Sequence, residues 1–572
     1  MLHSAYRFRV RIIFVVLCVC IVGILTRLYF LQVVHGEYYA QEAQKQYVRS
    51  AEGIFDRGDI FFTQKDGTRI AGASTRSGYM LTIDPTRIDD EDGYFSLLHT
   101  ILPSLEKEDF LAHVHKKDDP YEEVARRLSD EEAKKVRALK LLGVQTYREQ
   151  WRYYQGGTLA SHALGFVGFD ETSKQPIGMY GLERYWDTTL SRANDRSYVN
   201  FFAEIFAPRD EKKVVHEKNG DIVTTIEPTV QAELERTLAS ARAEWHAKEL
   251  GGVVINPKTG AVYALAALPD FNPNEYAKVE DQHVFVNPLV ENVYEMGSII
   301  KPLAMAIGLD TKAVTPETSY HDTGKITIDG YTIGNYDGRA RGNVSMQEVL
   351  NQSLNVGMAF VTQQVGGKVM GDRLRALGLG EETGIDLPFE ARGLLNNLNN
   401  NREVEYITAS FGQGIALTPI QTVRALCALG NGGVLPSPHL VEHIIADDGD
   451  DADITPNDTT RVFSQETSEE ITRMLVHVVD TSLRNGTVKR EHYAVAAKTG
   501  TAQIAKKGER GYYDDRYLHS FFGYFPAYNP QFLIFLYHVE PQGAKYASET
   551  LTTPFMNLTD FLIRYYNLPP DR

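Results

Sequence analysis

The sequence predicts an α+β protein in three consecutive parts: a membrane-spanning helix, an irregular α+β region, and a larger unit that combines a β-hairpin with apolar helices. Three observations predict it. An apolar run long enough to cross a bilayer stands near the N-terminus, at Ile12–Val34. Short alternating strands and charged helical runs then intermix up to about residue 216. Beyond that point, a strand-turn-strand pattern at Gly252–Ala266 is followed by stretches with helical apolar spacing.

The apolar run is interrupted only by Gly23, Thr26, Arg27, Tyr29 and Gln32. A helix of this length spans roughly 34 Å at about 1.5 Å per residue, and Arg27 lies close enough to one end to snorkel. No small-x-small cleavage pattern follows it, so the expectation is an uncleaved anchor rather than a signal peptide. Arg7, Arg9 and Arg11 precede the span and place the N-terminus in the cytoplasm, with the remainder of the chain outside. The expected division is a cytoplasmic tail (1–11), the anchor (12–34), a membrane-proximal region (35–216) and a second unit (217–572).

The membrane-proximal region opens with an amphipathic helical stretch, Tyr38–Val48. A strand at Tyr79–Ile83 follows, and the Pro103–Gly143 stretch carries helical spacing amid dense charge. The polar, punctuated run Ala207–Gly220 reads as the boundary. In the second unit, Ile222–Ile226 reads as a strand and Pro228–Leu250 as a long helix with proline at its start. The strands Gly252–Asn256 and Ala261–Ala266 flank turn chemistry at Pro257-Lys-Thr-Gly260. Asn396–Asn401 and Asp447–Asp453 read as polar surface loops. The acidic tract lacks the spacing of an EF-hand.

Composition narrows the function. With 572 residues, 43% hydrophobic and 23% charged, the chain is of globular type. A formal charge of -16 argues against a nucleic-acid footprint. Cys18, Cys20 and Cys427 supply no disulfide framework. There is no His-Glu-x-x-His, and His113-Val-His115 sits in a charged helical region where solvated side chains are expected, so no metal and no cofactor is called for.

Three strings carry chemistry in one order: Ser298-Ile-Ile-Lys301, Ser353-Leu-Asn355 and Lys498-Thr-Gly-Thr501. Ser298 precedes a helical stretch, and a lysine three residues on shares its face. A serine hydroxyl needs a base, and Lys301 serves only if burial or a nearby charge such as Lys498 lowers its pKa. The helix N-terminus beneath Ser298 adds positive potential suited to an oxyanion. Ser353 and Asn355 fall in a loop between two helical runs, where a hydroxyl and an amide can relay a proton and grip a peptide carbonyl. Lys498-Thr-Gly-Thr501 ends the strand-like run Tyr493–Ala497. Gly500 permits close backbone approach there, and Thr499 and Thr501 are placed to bind a carboxylate beside the Lys498 charge. The backbone N–H groups of Ser298 and Thr501 would form the oxyanion hole. The second Lys-Thr-Gly, at Lys258–Gly260, belongs to the hairpin turn and is no competitor.

Together the three strings resemble the penicillin-binding proteins. Further strings carry the same resemblance: Gly252–Ala266, Pro269–Asn274, Thr383–Pro388, Gly412-Gln-Gly414, Thr418–Gln421 and Asn431-Gly-Gly433. Upstream, Arg27–Val33, Arg57-Gly-Asp-Ile60 and Gly178–Glu183 resemble the membrane-proximal part of the monofunctional class B members, of division or elongation type. Met296 and Tyr154 depart from the usual proline at their positions. The resemblance implies a dimerisation-type pedestal followed by a transpeptidase domain with a central antiparallel sheet flanked by helices. It implies a peptidoglycan D,D-transpeptidase in which Ser298 forms an acyl-enzyme with release of D-Ala, Lys301 acts as base and Ser353 relays a proton. β-Lactams would trap the same serine. The implied partners are peptidoglycan stem peptides and a multi-pass membrane glycosyltransferase of the shape, elongation, division and sporulation (SEDS) group, with divisome or elongasome proteins. Two other readings stand beside it: a D-Ala-D-Ala carboxypeptidase or β-lactamase-type hydrolase, and a non-catalytic scaffold or β-lactam sensor.

Overall fold

The computed structural model describes residues 56–170, 172, 175–192, 219–454, 459–506, 508–509 and 511–572, together with Gly23, Arg27 and Tyr29. The expected tail, all of the expected uncleaved anchor but Gly23, Arg27 and Tyr29, the Tyr38–Val48 helix, nearly all of the boundary run Ala207–Gly220, and Cys18 and Cys20 lie outside the described residues. Among the described residues, no helix is long and apolar enough to cross a membrane.

The described chain forms two compact units: Thr75–Trp151, and Arg57–Ser74 with Arg152–Arg572. In chain order, the main elements up to Tyr154 are β1 (Ile60–Thr63), β2 (Arg69–Ile83), α1 (Glu91–Ile101), α2 (Lys107–Val114), β3 (Glu122–Leu128), α3 (Asp130–Ala138) and β4 (Val144–Tyr154). The smaller unit packs α1, α2 and α3 on paired strands through Leu81, Ile83, Leu98, Phe110, Leu128 and Val136. Its third helix starts where Ser129 and Glu132 close a reciprocal cap on each other's backbone N–H groups. The expected helical run Pro103–Gly143 is corrected here. Val124 and Leu128 are four apart, as on a helix, yet they lie in β3, which pairs with β2 in a register that slips twice. Those slips, with Arg127 at φ +62°, erase the strand's two-residue period and leave a helix-like spacing.

The larger unit continues with β5 (Gly220–Thr224), α4 (Pro228–Trp245), β6 (Glu249–Ile255) and β7 (Val262–Leu268), then α5 (Lys301–Asp310). Four short strands follow: β8 (Ser319–Asp322), β9 (Lys325–Ile328), β10 (Tyr331–Gly334) and β11 (Gly342–Ser345). The remaining elements used below are α6 (Met346–Asn351), α7 (Asn355–Val365), α8 (Pro419–Gly430), β12 (Val441–Ala446), α9 (Gln465–His477), β13 (Ala496–Ala505), β14 (Tyr512–Phe525), β15 (Phe532–Val539) and α10 (Thr552–Tyr566). α4 ends five residues earlier than expected, because His246 adopts a left-handed cap and Glu249–Leu250 enter β6.

A five-stranded antiparallel sheet, ordered β13-β14-β15-β6-β7, forms the centre. Alternation along each strand sends its two sets of side chains to two cores. Val254, Ala264, Phe521, Ile534 and Leu536 pack with Leu234 and Leu238 of α4 and Phe555 and Leu562 of α10. Val253, Leu265, Phe522, Leu533 and Phe535 join the core that holds Leu303, Met305 and Ile307 of α5, together with α7, α8 and α9. α5 is buried over most of its surface, which is why its sequence has almost no polar face. The expected hairpin is present. Asn256 accepts from the N–H of Lys258 within the turn, so Lys258-Thr-Gly260 is turn structure.

At the other end of the unit, β5 pairs with β1 in parallel and with β12 in antiparallel fashion. Here Arg57 and Arg152 are buried on one carboxylate. Arg57 Nε donates to Glu183 Oε2 at 2.6 Å and Arg152 Nε to Glu183 Oε1 at 2.6 Å. Asp187 takes a further Arg57 bond at 2.8 Å. Tyr154 completes the cluster, its hydroxyl donating to Glu183 at 3.2 Å while accepting from Val167 N–H at 2.9 Å. Burial pushes the Glu183 carboxyl up, but the two guanidiniums outweigh it and hold it below its ordinary value. His113 and His115 have local acidic partners: His113 Nδ1 lies 2.6 Å from Glu122 and His115 Nε2 lies 3.0 Å from Glu91.

Candidate active site

Ser298 does not lie on an α-helix. It sits in a 3-10 turn, Gly297–Ile300, and Lys301 is the first residue of α5, with its N–H bonded back to the Ser298 carbonyl. Side chains three apart eclipse in a 3-10 turn, so the expected shared face is kept by a tighter geometry. Pro302 therefore falls at the second position of α5, where a missing N–H costs nothing, rather than a turn further in. Gly297, Ile299 and Ile300 are buried while Ser298 is half-exposed, so the turn presents one hydroxyl to the surface.

The turn is pinned from two sides. Gly297 N–H donates to the Gly412 carbonyl at 3.1 Å, and Ser520 Oγ donates to the Met296 carbonyl at 2.8 Å. A Cβ added to Gly500 would stand 2.3 Å from Ser520 Oγ and 2.7 Å from Met296 O. Gly500 thus makes room for the Ser298 turn: the close backbone approach expected at this glycine is met within the chain by Met296. The same glycine lies inside β13, since Lys498-Thr-Gly-Thr501 falls within Ala496–Ala505 rather than at the end of a strand. The run that ends at Ala497 looked complete because the next residues are polar. Their partners Phe522, Phe521, Ser520 and His519 on β14 are what hold them in the sheet.

Lys301 and Lys498 converge on Ser353. Lys301 Nζ donates to the Ser353 carbonyl at 2.6 Å and meets its Oγ at 3.2 Å. Lys498 Nζ reaches the same Oγ at 3.1 Å and the Thr499 carbonyl at 3.0 Å. Lys301 is 0% and Lys498 4% exposed. Burial, and then the Lys498 charge, drive Lys301 well below the usual lysine range. Burial brings Lys498 down to about 7. Desolvation thus favours the neutral amine of Lys301, the form in which a lysine can accept a proton.

Ser353 lies between α6 and α7 as expected, and Asn355 is the first residue of α7. One amide N–H of Asn355 is engaged by the Gly334 carbonyl at 2.9 Å, which leaves the other for a ligand. Thr501 Oγ1 accepts from Ala547 N–H at 3.0 Å, so this hydroxyl also holds the segment that leads into α10. Thr499 is half-buried beside it. A Cβ on Gly297 would lie 3.2 Å from the Thr501 carbonyl carbon, which places the backbone of Gly297, the residue before Ser298, against that of Thr501.

Two contributions were not read from the sequence. Ser520 fixes the nucleophile's turn. Its signal was a polar pair, His519-Ser520, inside the apolar second half of β14, Leu518–Phe525. Glu295 receives the Tyr512 hydroxyl at 3.0 Å and 3.2 Å, and burial raises its carboxyl to about 7. Nothing in the local sequence marked that contact across more than two hundred residues.

Two family models match the chain: the penicillin-binding protein transpeptidase domain over residues 250–558 and the penicillin-binding protein dimerisation domain over residues 56–225. The chain is 30% identical to stage V sporulation protein D of Bacillus subtilis over 561 residues, 96% of this chain and 84% of that protein. It is 26% identical to the peptidoglycan D,D-transpeptidase FtsI of Escherichia coli K12 over 573 residues, 98% of this chain and 92% of that protein. Among solved structures, apo penicillin-binding protein 3 of Mycobacterium tuberculosis is similar with a TM-score of 0.63 at 27% identity, over 74% of this chain and 92% of that one. The same protein in complex with aztreonam matches at 26% identity and a TM-score of 0.63, with the same coverage.

Proposed function

The chain belongs to the penicillin-binding protein transpeptidases, and we propose on that premise that it is a peptidoglycan D,D-transpeptidase acting through a Ser298 acyl-enzyme. The observation that carries the reading is the burial of two lysines on one serine hydroxyl, that of Ser353, with Lys301 one turn along from Ser298 and stripped of water.

Ser298 Oγ attacks the penultimate D-Ala carbonyl of a stem peptide, and its proton passes to neutral Lys301. The carbonyl oxygen, now anionic, lies between the backbone N–H groups of Ser298 and Thr501. Collapse of the tetrahedral adduct breaks the amide bond. The leaving D-Ala amine takes a proton from Ser353, which is re-protonated from the lysines bonded to it. The terminal carboxylate of the donor is held by Thr499, Thr501 and the Lys498 charge, and Asn355 grips a peptide carbonyl. A side-chain amine of a second stem peptide then attacks the ester, gives up its proton along the same path, and releases Ser298. A β-lactam presents the same carbonyl without a departing leaving group, so the ester persists. The aztreonam complex of the related Mycobacterium tuberculosis protein supports this.

The apolar run Ile12–Val34 supports an anchored protein with its catalytic domain outside the plasma membrane. Septal cross-linking beside a SEDS-type glycosyltransferase and divisome proteins is the cellular role that we infer. The full chain, incubated with a fluorescent penicillin, is expected to carry label on Ser298, and Ser298→Ala to carry none. Label retained by Ser298→Ala overturns the assignment. Donor stem peptide supplied with and without an acceptor amine then separates cross-linking from simple hydrolysis.

A further inference from the structure

Ser353 holds a backbone φ of +55°, a left-handed conformation that a residue with a side chain keeps only when its surroundings fix it. Its neighbours on both sides are tied to one segment, β8–β11, which contains none of the three motifs. On the N-terminal side, Gln352 accepts from Arg341 Nε at 2.9 Å. On the C-terminal side, Asn355 donates to Gly334 O at 2.9 Å, and Val356 N–H donates to Asn335 Oδ1 at 3.2 Å. Both ties share an anchor. Asp322, fully buried, accepts from Asn335 Nδ2 at 3.0 Å on each oxygen, from Arg341 N–H at 2.9 Å and from the Tyr320 hydroxyl at 3.0 Å.

Asn335 therefore uses both ends of its amide: the donor end faces Asp322 and the acceptor end faces the first turn of α7. Arg341 likewise reaches Asp322 with its backbone and Gln352 with its side chain. A segment held only for its own stability has no need to bracket a strained serine from both directions. We propose that Asn335 and Arg341, anchored on Asp322, are positioning residues that hold Ser353 between Lys301 and Lys498, acting through Ser353 and touching no reacting atom. The inference rests on the transpeptidase reading above.

The titratable groups bonded to Ser353 are Lys301 from α5 and Lys498 from β13. If Ser353 moves off them, water enters and the ammonium form of Lys301 is favoured, so the base is lost at higher pH than before. The test measures acylation of the full chain by fluorescent penicillin across pH, with end-point labelling giving the folded, active fraction. Asn335→Asp keeps the acceptor toward Val356 and places like charge against Asp322. It is expected to slow acylation at neutral pH about tenfold or more and to move the acidic limb up by about one pH unit, at unchanged end-point labelling. The exchange Asp322→Asn with Asn335→Asp restores a donor between the two side chains and is expected to recover part of the rate. Arg341→Gln, which leaves Asp322 its backbone partner, is expected to shift the limb in the same direction by less. An acidic limb identical to that of the unsubstituted chain in Asn335→Asp, or in Arg341→Gln where Asn335→Asp does not fold, overturns the proposal. A chain that is itself not labelled on Ser298 overturns the functional reading instead, which is a separate result.

Discussion

Two clusters of buried charge lie in the larger unit, and they are built on opposite principles. At Glu183, two arginines meet two carboxylates, Glu183 and Asp187, so the charges cancel and burial is compensated. At Ser353, two lysines are buried against a neutral hydroxyl and carbonyls. The first arrangement favours the ionised form of its carboxylate, whereas the second favours the neutral form of its amines. Burial alone does not mark a reactive site. Burial without a counter-charge does, because the free energy withheld from the ammonium appears as basicity.

The comparison breaks most decisively at Lys301. Lys301→Met is expected to slow penicillin acylation by about 10²–10⁴-fold while leaving the unfolding midpoint equal or higher, since a desolvated amine is exchanged for an apolar chain. A normal acylation rate would dissolve the distinction between the two clusters. Glu183→Ala should do the reverse. It strands the buried Arg152 guanidinium, leaves Arg57 with Asp187 alone, and is expected to cost about 3–5 kcal/mol in chemical denaturation, with unchanged acylation per folded molecule.

The pH dependence of stability sharpens the contrast, because each cluster has its own window. Lys498 is held at about 7, below its unfolded value, so from there toward the alkaline range the unfolded chain binds the extra proton and stability rises with pH. Lys498→Met is expected to flatten that rise by up to about 1.4 kcal/mol per pH unit in unfolding measured between neutral and alkaline pH. Glu183 is held below its ordinary value, so its contribution is present above the unfolded carboxylate pKa and is lost as the pH falls through the folded one. The smallest effect expected is that of Tyr154→Phe, which removes one bond to Glu183 and one from Val167. It should lower stability by about 1 kcal/mol with no change in labelling.

What could be read in advance follows from range along the chain. Turn chemistry and alternation are local, so the β6–β7 hairpin and the dismissal of Lys258-Thr-Gly260 needed only neighbouring residues. The three motifs were legible because their residue types are dictated by the reaction. The setting of each was less so. The tight turn at Ser298 depends on Gly412 and Ser520, and the need for Gly500 comes from Met296, contacts that no local pattern announces. β3 was misread because bulged pairing with β2 conceals its period. Asn335 carries no signal at all until Val356 is placed beside it.

The order of strands in the central sheet bears on how the domain comes to exist. β6 and β7 are its first strands along the chain, yet β6 pairs with β15, with Val253 opposite Phe535. A growing chain must therefore make and hold the opening hairpin, with the β6 edge unpaired and one face covered by the preceding α4, until the last strands emerge. Lys498 reaches Ser353 only once β13 has joined that sheet. A nascent or truncated form that ends before β13 lacks Lys498, one of the two amines bonded to Ser353, so the cluster is complete only at the final step of assembly.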